Sequence, residues 1–138
     1  MSACPCGSTK PFTICCEPYL TFKDKPKSVR QLVRARYCAY SLRAGNYREF
    51  LIRTWHPATQ NRINMADLTN DNIVKWKGLN IMLAEQKADR GRAEFQATFN
   101  TGTGPDQVHH ERAVFHRNKG NWYYVEGSVK TDSPPVQA

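Results

Sequence analysis

The apolar residues of the first half of the chain recur with a helical period, and those of the second half alternate. After Ser28, residues Val29, Val33 and Tyr40 fall on one side of a helical wheel, flanked by Leu32, Tyr37 and Ala39. Arg30, Arg34 and Ser41 point the other way. With Ser28 as N-cap, the pattern predicts a helix to about Ala44, closed by Gly45-Asn46. A second helix is predicted from Tyr47 to about Thr54, stopped by Pro57. Asp67 to Trp76 reads as a short third helix before Gly78.

Beyond Gly78 the period drops to two. Leu79, Ile81 and Leu83 alternate with Asn80, Met82 and Ala84, and Phe95, Ala97 and Phe99 with Glu94, Gln96 and Thr98. HHERAVFHR and NWYYVEGSV continue the pattern. The breaks at Asp89-Arg90-Gly91, Gly102 to Asp106 and Asn118 to Asn121 read as hairpin turns, with glycine available for positive φ. Helices followed by a meander of about four strands predict an α+β fold. Residues 28–131 form that domain. Residues 132–138 read as a flexible tail, and Thr21 to Lys27 as a linker from a cysteine-rich segment at 1–20.

Composition adds a location. MSACPCGSTK lacks the apolar stretch of a secretory signal, and no stretch is long enough to span a membrane, so a cytoplasmic chain with reduced thiols is expected. Clustered cysteines then point to metal before disulfide. The net charge of +8 lies wholly in residues 1–62. There seven arginines and four lysines face only Glu17, Asp24 and Glu49. Two readings stand: a patch for an acidic partner, centred on Arg30 and Arg34, or a solvated helix face.

Cys4, Cys6, Cys15 and Cys16 in CPCGSTKPFTICC supply four thiols, the number that a closed structural zinc site takes, and Gly7-Ser8 lets the chain turn back over them. Reduced, non-ligating thiols or a disulfide are the alternatives. Cys38 falls on the polar side of its helix, far along the chain, and is not counted as a ligand. The segment resembles the SEC-C motif, whose C-x-C, Gly-Ser turn, lysine and terminal Cys-Cys match Cys4, Cys6, Gly7, Ser8, Lys10, Cys15 and Cys16. With RYCAY, TWHP and HERAVFHRNKGNWYYVEG, the chain is similar over nearly its whole length to the YchJ-type family of SEC-C proteins. That resemblance implies a bound zinc ion and a nuclear-transport-factor-2-like (cystatin-like) cone, with helices packed on a curved antiparallel sheet. Many relatives add a second cysteine motif at the C-terminus, whereas this sequence ends at VKTDSPPVQA.

One residue breaks the helical pattern. Arg36 falls among apolar neighbours and needs a partner, because an uncompensated buried charge costs several kcal/mol. Glu111 alternates onto the same strand face as Ala113 and Phe115 and is the expected partner. In folds of this kind the space under the helices is often a cavity, and Arg36, Tyr40, His56, Glu111 and Trp122 are candidates to line it. A purely structural ion pair among core aromatics is the alternative. His109, His110 and His116 read as strand surface.

Three functions are compatible with these features. The first is an adaptor whose zinc knuckle and basic half meet an acidic protein. The second is an enzyme of isomerase, dehydratase or hydrolase type, with His56 or Glu111 as general base and Arg36 stabilising charge. The third is binding to RNA or the ribosome through the arginine-rich helices.

Overall fold

A computed structural model describes residues 3–42, 47–62 and 75–129. The segment around the predicted helix end at Gly45-Asn46, residues 67–74 of the predicted third helix and the predicted tail lie outside them. The fold is α+β: helices α1 (Glu17–Leu20), α2 (Val29–Leu42) and α3 (Tyr47–Arg53) precede strands β1 (Lys75–Lys87), β2 (Arg90–Asn100), β3 (Gln107–Asn118) and β4 (Asn121–Val129). The strands form one antiparallel sheet in the order β1-β2-β3-β4. Lys75 and Trp76 belong to β1, not to a helix, because Trp76 packs on Phe99 and Tyr37 across the sheet and helix layers.

Helix α2 is the central element. Ser28 Oγ accepts from the Gln31 amide (3.1 Å), which gives the N-cap its expected role. The Val29 amide, another open donor of the first turn, donates to Gln86 Oε1 on β1 (2.9 Å), so the cap also ties helix to sheet. Val29, Leu32, Val33 and Ala35 bury almost completely. After α3 the chain runs alongside β4. Thr54 O accepts from the Tyr124 amide, and Tyr124 O accepts from the His56 amide, both at 2.7 Å. This pairing covers an edge that would otherwise leave amides and carbonyls open.

The last two turns fall where the alternation broke. Lys119 and Gly120 both take positive φ (54° and 82°) between β3 and β4, as a two-residue hairpin requires. The first turn differs. It is Ala88-Asp89 that reverses the chain, with Ala88 at φ 54°, and Gly91 lies inside β2 opposite Gln86 and Phe115. A methyl group at Gly91 would collide with Val29 Cγ2 and meet Trp122 at 3.2 Å. Its glycine serves close helix–sheet approach, a tertiary need that a local turn signal imitates.

Candidate metal centre and binding cavity

The cysteine segment folds back on itself. Ala3 pairs with Pro11, the Cys4 amide donates to Lys10 O (2.8 Å), and Gly7 turns at φ 86°. A short 3-10 turn (Phe12–Ile14) and α1 then carry Cys15 and Cys16 back to the first pair. The four Sγ atoms of Cys4, Cys6, Cys15 and Cys16 lie within 4.8 Å of one another. A tetrahedral ion at about 2.3 Å from each sulfur sets the sulfurs about 3.8 Å apart. The Cys6–Cys15 and Cys15–Cys16 separations are 3.7 and 3.9 Å. All five cysteines are free thiols, so the donor set is intact. Ser8 Oγ sits 3.0 Å from Cys15 Sγ, an outer partner of the kind that orients metal ligands. The cluster therefore fits a metal ion.

The thiols are held unequally. Hydrogen bonding to Cys16 lowers Cys4 to about 6 and holds Cys6 far below the ordinary thiol range. Hydrogen bonding to Cys38 raises Cys16, and burial raises Cys15. Crowding of the four thiols thus opposes ionisation of the whole set, which a bound cation would favour.

Cys38 stays outside the four-thiol cluster, as expected, but it does not lie on a polar, exposed side. Its side chain is fully buried, and its Sγ lies 3.4 Å from Cys4 Sγ. The knuckle packs on the side of α2 that the helical wheel marks as polar. Arg34 is half-buried there too, whereas Arg30 stays exposed. Phe12 meets Tyr47 edge to face, Phe22 of the following linker segment meets Phe50 at a tilt, and Cys4, Cys6, Cys16 and Leu20 lie in the core, so the knuckle shares the core of the helices.

On the other face of α2, roughly 150° around at 100° per residue, Val33, Arg36, Tyr37 and Tyr40 roof a cavity of about 390 Å³. Trp76, Phe95 and Ala97 form its floor from β1 and β2, and His109, Glu111 and Phe115 continue it from β3. Trp55 and Tyr124 close one side. The size falls within the range of small-molecule sites.

Of the five candidates read from sequence, Arg36, Tyr40 and Glu111 line this cavity; His56 and Trp122 do not. The His56 ring takes the Ala58 amide on Nδ1 (3.0 Å) and stands edge-on to His116 and Tyr123. Trp122 is buried near Val29 and Gly91, with Arg117 over its ring. It faces inward, as alternation demands, but toward the N-terminal end of α2.

Arg36 and Glu111 are both buried (7% and 8% exposed), yet among the described residues they form no ion pair. Arg36 Nη1 donates to Leu51 O (3.0 Å) and Thr54 Oγ1 (2.7 Å). Its guanidinium lies 4.7 Å from the Tyr124 ring centroid and 5.3 Å from that of Trp55, so ring faces take the place of a carboxylate. Glu111 is occupied elsewhere. Tyr124 Oη donates to its Oε2 at 2.7 Å, and His109 Nε2 lies 2.7 Å from its Oε1. Burial, with Glu111 adding to it, pushes the Tyr124 hydroxyl above its usual range and keeps it a donor. Sequence reasoning passed over His109, although the alternation that pointed Glu111 inward points His109 inward too. His110, one residue on, turns to the opposite face, where it is buried against Glu94 at 2.6 Å and is not the surface residue expected from sequence.

Comparison with known proteins agrees with this architecture. Residues 28–127 match the family described as YchJ, middle NTF2-like domain. A UPF0225 protein of Photorhabdus laumondii is 38% identical over 133 residues, covering 94% of this chain and 82% of the relative. One from Chromobacterium violaceum is also 38% identical, over 93% of each chain. The solution structure of a SEC-C motif containing protein from Rhodopseudomonas palustris superposes with a TM-score of 0.83 at 32% identity, covering 94% of this chain and 99% of that one. A crystal structure of a SEC-C motif containing protein from Psychrobacter arcticus gives 0.77 at 25% identity, covering 95% and 84%. With a cysteine cluster fit for a metal set against an NTF2-like cone, the chain belongs to the YchJ family of SEC-C motif proteins.

Proposed function

We propose that this is a cytoplasmic small-molecule-binding protein in which a structural zinc ion, held by Cys4, Cys6, Cys15 and Cys16, braces the helix that roofs the binding cavity. Zinc suits four thiolates and needs no further ligand, so the ion supplies a cross-link and charge neutralisation. The observation that carries the reading is the cavity itself. Two opposite charges are buried in its walls without pairing to each other, an arrangement expensive for a purely structural core and ordinary for a site. The test uses 1-anilinonaphthalene-8-sulfonate, an aromatic anion that fluoresces when shielded from water. Zinc-loaded protein is expected to bind it at one site, and Ala97→Phe, which fills the cavity floor, to abolish that binding while the fold persists. Equal binding by the variant would refute the reading.

A second reading, an adaptor for an acidic protein, draws on the knuckle's surface. Ile14 and Phe22 are 68% and 45% exposed there, in a segment that also exposes Lys10, Lys23 and Lys25. Apolar side chains ringed by cations suit an acidic partner. Capture of such a partner that is lost with Ile14→Asp, while probe binding is kept, would favour this reading over the first.

A further inference from the structure

Glu111 and His109 stand two residues apart on β3, on the face that looks into the cavity. An ionised carboxylate can only accept hydrogen bonds. With Tyr124 donating to Oε2, the imidazole nitrogen at Oε1 must carry a proton, which leaves Nδ1 as the nitrogen with a lone pair in the neutral ring. A carboxylate that fixes the imidazole tautomer in this way turns the ring's far nitrogen into a proton acceptor. The backbone is fitted to the arrangement. A methyl group at Gly127 on β4 would collide with Glu111 Oε2 and come within 2.6 Å of the Tyr124 oxygen. The groups facing the pair are Arg36 and Tyr40 on α2, Tyr124 on β4 and the ring of Phe95 on β2.

We propose that His109 is the proton acceptor of the cavity, with Glu111 as its positioning residue, and that the site takes planar aromatic molecules bearing one weakly acidic hydroxyl. This rests on the reading of the cavity as a ligand site. Aromatic walls select a flat ligand, and a single acid–base pair serves a single hydroxyl. In the step, the ligand O–H bond breaks and its proton moves to His109 Nδ1. The electron pair stays on the ligand oxygen, Glu111 stabilises the imidazolium, and Arg36 provides the positive wall for the new anion. The proton moves within the complex, so no co-reactant is required.

The probe is 4-nitrophenol, whose phenolate is yellow, with 4-nitroanisole as a partner that has no proton to lose. Titrated at mildly acidic pH, where the free probe is chiefly the uncharged phenol, into the zinc-loaded full chain, both are expected to bind, with 4-nitrophenol bound chiefly as phenolate. His109→Gln should bind both but lose the bound phenolate band, and Glu111→Gln should weaken the band more than it weakens 4-nitroanisole binding. Retained affinity for 4-nitroanisole reports an intact cavity, and His109→Asn replaces the glutamine variant should that fail to fold. If both probes bind but 4-nitrophenol stays neutral, or stays phenolate without His109, the proton-acceptor assignment falls and the ligand site stands. If neither probe binds, the ligand-site reading falls with it.

Discussion

The two faces of α2 solve the same problem in opposite ways. On one, the knuckle gathers thiols whose protons and charges the protein alone leaves poorly matched. On the other, the cavity gathers Glu111, His109 and Tyr124, which hydrogen-bond one another, and Arg36, which is held by Leu51 O, Thr54 Oγ1 and the Tyr124 ring. The metal centre is thus completed only from outside, whereas the cavity is organised before anything enters it. A preorganised polar site in an aromatic pocket is what ligand binding needs; a cluster incomplete without its ion is what a structural cross-link needs.

The comparison breaks most visibly at the knuckle. Cys16 is 1% exposed and lies in the core shared with α2. Cys16→Ser is expected to abolish zinc binding, read by elemental analysis, and to lower the stability of the chain by at least about 3 kcal/mol. Denaturation should remain a single transition, because Cys38 and Cys4 join the two regions. Two separate transitions would mean that knuckle and cone fold independently.

Gly91→Ala comes next. The added methyl forces Val29 aside at the cap end of α2, and overpacking of this kind costs about 1–3 kcal/mol. Zinc content should be unchanged, since the collision lies away from the thiols.

A double-mutant cycle sharpens the cavity side. Tyr124→Phe should cost about 1–1.5 kcal/mol. It should couple to Glu111→Gln, because the two share a hydrogen bond. Arg36→Met and Glu111→Gln should couple by less than about 0.5 kcal/mol, as befits residues linked only through the Tyr124 ring. Strong coupling between arginine and glutamate would restore the direct ion pair expected from sequence.

Acid separates the two faces again. The Cys15 and Cys16 thiols sit above their usual range without metal, so zinc must displace their protons, and falling pH favours the protons. The stability that the proposed zinc would contribute is therefore expected at neutral pH and expected to be lost on acidification. A chromogenic chelator should register faster zinc release as pH falls. The smallest effect belongs to Arg30→Gln, an exposed change expected to shift stability by no more than about 0.5 kcal/mol. Any larger effect would show that the helix face is more than solvated surface.

What could be read in advance follows from range. Cys4, Cys6, Cys15 and Cys16 are close in sequence, so their spacing alone announces a ligand set. The period-two pattern gave the meander because alternation is itself the geometry of a strand. Arg36 and Glu111 were recognised as buried charges, but which partners they chose depends on Tyr124 and Thr54, brought near by the pairing of the chain after α3 with β4. Cys38 was hidden for the same reason: nothing local records that the knuckle covers the arginine side of α2. His109 was visible and missed, since one inward residue on a strand implies the next but one.

The central claim is that the cavity beneath α2, not the knuckle, is the site at which this protein meets a small ligand. Backbone amide chemical shifts of the zinc-loaded chain, followed while 1-anilinonaphthalene-8-sulfonate is added, test it most directly. The account predicts shifts concentrated at Tyr37, Ala97, Glu111 and Tyr124, with Cys6, Ile14 and Cys15 unmoved. Shifts confined to the knuckle, or none at a concentration where the probe fluoresces, would contradict it.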